Sequence, residues 1–279
     1  MTGGRQNRAS GESATISGGQ YGDATGPAAT ISGGWDNTAS GAFATTAGGW
    51  TGEASGTYAT AAGGSQNTAP GERAAAFGGY YNHATAMNST TVGGQINTAS
   101  ESAATVLGGR ENEASGDSAT VLGGRQNQAS AAHATVAGGL LGEASGELAT
   151  VAGGRENVSD GAASACVGGR QNRSGGDFTA VVGGFQNEAT GGNCLVAGGQ
   201  LNGCEGGTST VSGGAENHAA GFFSSVSGGT GNTATNFYAT VSGGEGNTAS
   251  GVAAAVSGGA GRAAAGDDDW AAGALSQDN

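Results

Sequence analysis

Small apolar and small polar residues alternate along this chain in short bursts, A-T-V-S at 239–242 and N-T-A-S at 247–250, set apart by glycines. In the first burst Ala239 and Val241 share one face, and Thr240 and Ser242 share the other. A period of two over a few residues, bounded by glycine, predicts short β-strands joined by turns, and no apolar spacing near 3.6 residues predicts a helix. The bursts themselves recur. Gly-Gly pairs stand at Gly3, Gly18, Gly33 and onward to Gly258, always 15 residues apart, with no insertion or deletion. A flexible linker has no reason to keep such a count, whereas a stack of coils does, because one extra residue would move every later side chain out of line with its neighbours.

With the first glycine of each pair as position one, the chain serves as its own alignment. Position five is Asn in most coils: Asn7, Asn37, Asn67, Asn82, Asn97, Asn112, Asn127, Asn157, Asn172, Asn187, Asn202, Asn217, Asn232 and Asn247. Position seven is almost always Ala, position nine mostly Gly, and positions twelve to fifteen read A-T-V-S. This predicts one strand around positions five to eight and another around twelve to fifteen, with Ala at seven and twelve and Val at fourteen facing a common interior. Asn side chains stacked at position five are expected to bond to their copies in adjacent coils, as a structural ladder. The expected architecture is all-β: a parallel β-solenoid of about eighteen coils over residues 1–266, with an acidic cap or tail at 267–279 beginning at Asp267-Asp268-Asp269.

Charge sharpens this picture. In the coils from Gly3 to Gly258, Asp, Glu and Arg occupy positions three to six and eight to eleven, and none stands at twelve to fifteen except Asp269 in the last coil. The outward positions thirteen and fifteen hold Thr, Ser and Ala and, at position fifteen through the middle of the chain, Phe77, Val92, Leu107, Leu122, Val167 and Val182. A face that excludes charge is expected to be covered. A coil interior of two Ala and one Val is also too small to offset the ordering of its residues. Both features predict a homo-oligomer, cyclic by default, with those six residues at its interface.

The alternation ATVSGG followed by NTASG resembles the head-domain repeats of trimeric autotransporter adhesins, in which S-V-A-I-G is followed by A-x-A-S-G. The resemblance runs over nearly the whole chain, roughly residues 3 to 266. It implies a trimer of left-handed β-rolls and a role in surface attachment. The unit here is one residue longer than that family's usual one, and no coiled-coil stalk or membrane-anchor barrel follows the repeats. Repeat-containing viral tail fibres and spikes are similar in these respects. The N-terminal MTGGRQNRASG enters the repeat at once, with no apolar run of signal-peptide length and no membrane span later. That favours assembly onto a virion or, where a leader has been removed, an extracellular location; other virion or surface proteins would then anchor it.

Candidate chemistry changes little. A phosphate loop needs Lys after its glycines, and this chain has none. Calcium-binding solenoids place Asp where Gly243-Gly244-Glu245-Gly246-Asn247-Thr248 has Thr. Cys166, Cys194 and Cys204 fall in core columns and are expected to be buried thiols in place of Val or Ala, and their odd number and lack of paired spacing speak against a disulfide framework. His83, His133 and His218 lie in separate coils, so no nucleophile, base and acid converge and no enzyme is expected. No cofactor or metal is expected either. With 22 acidic residues against 9 basic ones, all Arg, and a net charge of −13, nucleic acid is an unfavourable partner.

Two sets of residues remain as binding candidates for a surface glycan. Arg110, Arg125, Arg155 and Arg170, all at position three, form a broken basic line; the competing reading pairs them with Glu111, Glu113 and Glu156. Phe43, Tyr58, Phe178, Phe223 and Tyr238 stand at position eleven, and Trp35, Trp50, Tyr80 and Phe185 at position three. Asn88, Asn157 and Asn172 fit the glycan-acceptor pattern, weakly in so Asn-rich a chain. A second function class is ice binding, for which Thr240, Ser242 and their copies would form a flat exposed array. The large residues at position fifteen interrupt such an array.

Overall fold

The computed structural model describes residues 3–273 as short parallel strands without a helix. It divides into two compact units, Met1–Leu141 and Gly142–Asn279. Each is a parallel β-solenoid of nine coils with the 15-residue period of the sequence. In the first unit one sheet runs from Arg8–Ala9 to Gln128–Ala129, and the other from Thr15–Ile16 to Thr135–Val136. In the second unit the corresponding sheets run from Glu143–Ala144 to Ala263–Ala264 and from Thr150–Val151 to Trp270–Ala271. Within these strands each residue pairs with the residue fifteen positions on, Ala99 with Ala114 and Val106 with Val121.

The strands are shorter than the sequence pattern suggests. They cover positions six and seven and positions thirteen and fourteen, extending to fifteen only at Thr60–Ala62, Ala75–Phe77 and Thr90–Val92. A third row of single-residue parallel bridges at position three, such as Trp35 with Trp50 and Arg110 with Arg125, was not legible in the alternation, because one residue carries no period. Between these rows the chain turns at positions four and eleven, where non-glycine residues adopt a left-handed backbone: φ is 59° at Phe43, 57° at Phe178 and 56° at Leu141. Such residues ordinarily avoid that region at a cost of about 1–2 kcal/mol. Hydrogen-bond direction explains why they accept it here. Strand N–H groups donate forward to the next coil, as Thr45 does to Ala59 O, whereas the position-eleven N–H donates backward, Phe43 to Pro27 O at 2.8 Å and Tyr58 to Ala42 O at 2.8 Å. The left-handed residue reverses the peptide and leaves no orphaned donor.

The core is the predicted one. Ala at positions seven and twelve and Val or Ile at fourteen are fully buried, among them Ala114, Ala119, Val121, Ala129, Ala134 and Val136. Two glycine columns are fixed by close approach. A Cβ on Gly109, whose φ is +81°, would run into Gly124 O and the amide of Asn112, and one on Gly116 would run into Ala131 O. The acidic end expected at 267–279 begins inside the last coil. Asp267 Oδ1 accepts from the Val252 N–H, and Trp270–Ala271 pairs with Ala255–Val256. Residues 274–279 lie outside the described residues.

Candidate functional site

The Asn row is built into the coil wall rather than displayed on it. Every Asn of the row except Asn7 is buried. Asn112 shows the pattern: its Nδ2 donates to Gly108 O at 2.8 Å in its own coil and to Gly124 O at 3.1 Å in the next, while its Oδ1 accepts from the Asn127 N–H at 3.0 Å. Asn37, Asn67, Asn97, Asn172, Asn187, Asn217, Asn232 and Asn247 repeat it. The side chains therefore bond to backbone in the neighbouring coil instead of to each other. Full use of the amide leaves it nothing to offer a ligand. It also removes Asn157 and Asn172 as glycan acceptors, since both amides are buried and bonded, whereas Asn88 is exposed at a turn.

The uncharged stripe faces outward. Phe77, Val92, Leu107, Leu122, Val167 and Val182 are between 37% and 47% exposed in the single chain, and no charged side chain shares their row. The first four follow one another at position fifteen in the Met1–Leu141 unit, and the last two do so in the Gly142–Asn279 unit.

The arginines resolve into two pairs of neighbours, Arg110 with Arg125 and Arg155 with Arg170. Arg110 Nε meets Glu111 Oε1 at 2.8 Å, and Arg155 Nε meets Glu156 Oε1 at 2.7 Å. The hydrogen bond from Arg155, reinforced by one from Gln171, holds the Glu156 carboxyl below its usual range. Arg125 reaches Gln126 Oε1 at 3.4 Å, and the Arg170 guanidinium lies 4.7 Å over the Phe185 ring. Each arginine thus has a partner on its own edge.

The position-eleven aromatics stack along the coils. Phe43 and Tyr58 lie 4.9 Å apart at 7°, with the Arg73 guanidinium 5.8 Å from the Tyr58 ring; Phe223 and Tyr238 lie 5.2 Å apart at 9°. Beside the second pair, Phe222 and Phe237 stack at 5.5 Å. Rings covered face to face by the next coil present edges to solvent, so saccharide-stacking faces remain at the ends of each stack. Phe178, at 65%, is the most exposed of the set. Trp35 and Trp50 stack in the same way at position three, 5.6 Å apart.

Sequence columns gave no warning of two further features. Gly203 at position six opens a shallow groove of about 460 Å³ between Glu188 and His218, with Leu201, Glu205 and Glu216 around it. Among the described residues no group of three or more His, Cys, Asp or Glu is placed to hold a metal ion. The second feature is the meeting of Cys194 with Cys204, which the sequence treats as unrelated because they occupy different columns of different coils. Comparing position twelve of one coil with position seven of the next would have found it. Among the described residues no helix is long and apolar enough to cross a membrane. The chain matches no known protein family and no curated protein.

Proposed function

We propose that this chain is a subunit of a trimeric fibre of left-handed β-rolls, carried on a virion or cell surface and attaching it to a surface glycan. The carrying observation is the outward stripe of Phe77, Val92, Leu107 and Leu122, large apolar side chains left open one above another in a row that carries no charge, whereas the outward rows at positions three and eleven mix their apolar side chains with charged ones. Covering that stripe with sister chains removes it from water, and cyclic symmetry brings identical stripes together. Glycan attachment draws on the exposed Phe178 and on the end faces of the Phe43–Tyr58 and Phe223–Tyr238 stacks, with the partnered arginines of position three as a weaker contribution. Light scattering on the full chain in native solution tests the assembly. The expected mass is three chains, and Leu107→Asp with Leu122→Asp is expected to give single chains that keep their β-sheet circular dichroism. A wild-type mass of one chain overturns the reading.

One observation favours a second reading, ice binding. Thr15, Thr30, Thr45 and Thr60 pair in strict register on the outward face, as do Thr90, Thr105, Thr120 and Thr135. That array needs an uncovered face. A monomer showing thermal hysteresis would establish it in place of the fibre.

A further inference from the structure

In most coils the Ala methyls of positions seven and twelve face each other across the interior. Where both columns carry larger side chains, their γ-atoms meet: Ser159 Oγ and Ser164 Oγ at 2.7 Å, Ser174 Oγ and Thr179 Oγ1 at 2.7 Å, Cys204 Sγ and Ser209 Oγ at 2.9 Å. Cys194 occupies position twelve one coil before Ser209. Its sulfur leans forward, 3.3 Å from Ser209 Oγ and 3.0 Å from Gly206 O, into the coil that holds Cys204. Both sulfurs thus meet the same hydroxyl, Ser209 Oγ, from Cys194 at 3.3 Å and from Cys204 at 2.9 Å, and both residues are buried. Parallel pairing of Ala189 with Cys204 and of Leu195 with Thr210 fixes the two coils in register and so holds the backbone of both cysteines in place.

We propose that Cys194 and Cys204 are a dithiol site which a small peroxide converts to a disulfide, stapling one coil of the Gly142–Asn279 unit to the next. In the first step the Cys194 thiolate attacks a peroxide oxygen; the O–O bond breaks, Cys194 becomes a sulfenic acid, and the departing hydroxide takes up the proton that the thiol released on ionising and leaves as water. In the second the Cys204 sulfur attacks the Cys194 sulfur, the S–OH bond breaks, and the Cys204 proton departs with the hydroxide as a second water. The two thiols lose two electrons, and hydrogen peroxide takes them up. The roles follow from the surroundings: the neighbouring Cys204 thiol lowers the Cys194 thiol to about 7, while the Cys194 thiol, together with burial, raises that of Cys204. Cys194 also lies directly behind the turn at Gly191 and Gly192, which carries no side chains to bar a peroxide during local opening.

Cys166 is the internal control. It is buried with its Sγ 3.0 Å from Val158 O, and burial pushes its thiol up to about 12. The experiment treats the reduced full chain with hydrogen peroxide in native buffer, quenches with catalase, unfolds it and alkylates the free thiols. Three tags before oxidation are expected to fall to one, on Cys166. Cleavage after glutamate is expected to release residues 189–205 lighter by two hydrogens, restored by dithiothreitol. The same oxidation in concentrated urea is expected to give mixed pairings that include Cys166. In Cys204→Ser, the Cys194 sulfenic acid is expected to persist and to be trapped by dimedone; should that variant not fold, the wild-type tag count still decides. Retention of three tags, a bridge involving Cys166 or a second chain, or equal pairing in native buffer and urea would each overturn the proposal.

Discussion

Two rows of the same coils obey opposite rules. The inward row at position five is chemically saturated: Asn112 makes three bonds, all to backbone of its own coil or the next. The outward row at position fifteen carries Leu107 and Leu122, each nearly half exposed, with no polar atom for the chain to use. The first row answers a need internal to the chain, since every buried peptide group must find a partner. The second answers none of the chain's own needs, and it is the row on which a neighbouring molecule would act. In the proposed fibre the solenoid thus separates what holds it together from what it offers to sister chains, and each row is expected to tolerate change without disturbing its opposite.

The largest effect is expected from breaking the inward row. Asn112→Ala deprives the buried Asn127 N–H and Gly108 O of their partners. At about 1–3 kcal/mol for each of the two orphaned groups, the local loss is of the order of 2–6 kcal/mol. Because a solenoid opens by neighbouring coils, amide exchange at Asn127 and its flanking strands is the measurement. Unchanged protection there would show that the row is decorative. By contrast, Leu107→Asp with Leu122→Asp is expected to alter chain number while leaving that protection intact.

Extending the inward row gives a smaller effect of opposite sign. Gly52 occupies position five in a coil whose position fourteen is only Ala61, and an added Cβ there would lie 3.9 Å from the Ala61 methyl and 3.0 Å from Asn37 Oδ1, the acceptor of its own N–H. Gly52→Asn is expected to join the ladder and stabilise its coil by about 1 kcal/mol. Gly22 looks equivalent in sequence. An added Cβ there lies 3.3 Å from Asn7 Oδ1 and in ordinary contact, 3.5 Å, with Cδ1 of the bulkier Ile31, so Gly22→Asn is expected to stabilise less than Gly52→Asn. Equal responses in thermal melts of the two variants would refute this pairing of Gly22 with Ile31.

On the outer surface, Phe178 holds a left-handed backbone with φ 57° and is 65% exposed. Asn suits that conformation better, so Phe178→Asn is expected to stabilise by roughly 0.5–1 kcal/mol and to weaken adhesion to glycan. Stabilisation with undiminished adhesion would remove Phe178 from the binding surface.

The period, the two sheets and the core columns were legible because a chain without insertions aligns itself, and burial at Ala114, Ala119 and Val121 follows the columns strictly. Position eleven was not legible as a left-handed turn, since Phe43, Tyr58 and Leu148 are poor residues for it by local preference. A backward hydrogen bond between coils overrides that preference, and such a bond leaves no mark within a single coil. The ladder was legible as a row but not as a bonding scheme, because side chain to side chain and side chain to backbone require the same Asn at the same spacing. Cys194 and Cys204 were missed for a related reason: column reading compares like positions, and these two meet diagonally.

The smallest effect concerns an outward side chain that does have a partner in its own chain. His83, at position six, is half-buried, its Nδ1 2.6 Å from Thr68 Oγ1, with the Tyr81 ring edge-on at 4.5 Å. Burial disfavours the imidazolium and lowers the His83 pKa below its ordinary 6.5. Between the lowered value and 6.5 the unfolded chain binds more protons than the folded one. Stability is therefore complete above 6.5, declines as pH falls through it, and stops declining once pH passes the folded value. Protonation need not break the Thr68 contact, because a hydroxyl both donates and accepts and so serves Nδ1 with or without its proton, and desolvation alone sets the slope. Thermal midpoints of wild type and His83→Gln, compared between about pH 7.5 and about pH 5.5, are expected to diverge, with the wild type losing slightly more. Parallel loss in both proteins would show that His83 is as loosely tied to its coil as the apolar stripe is.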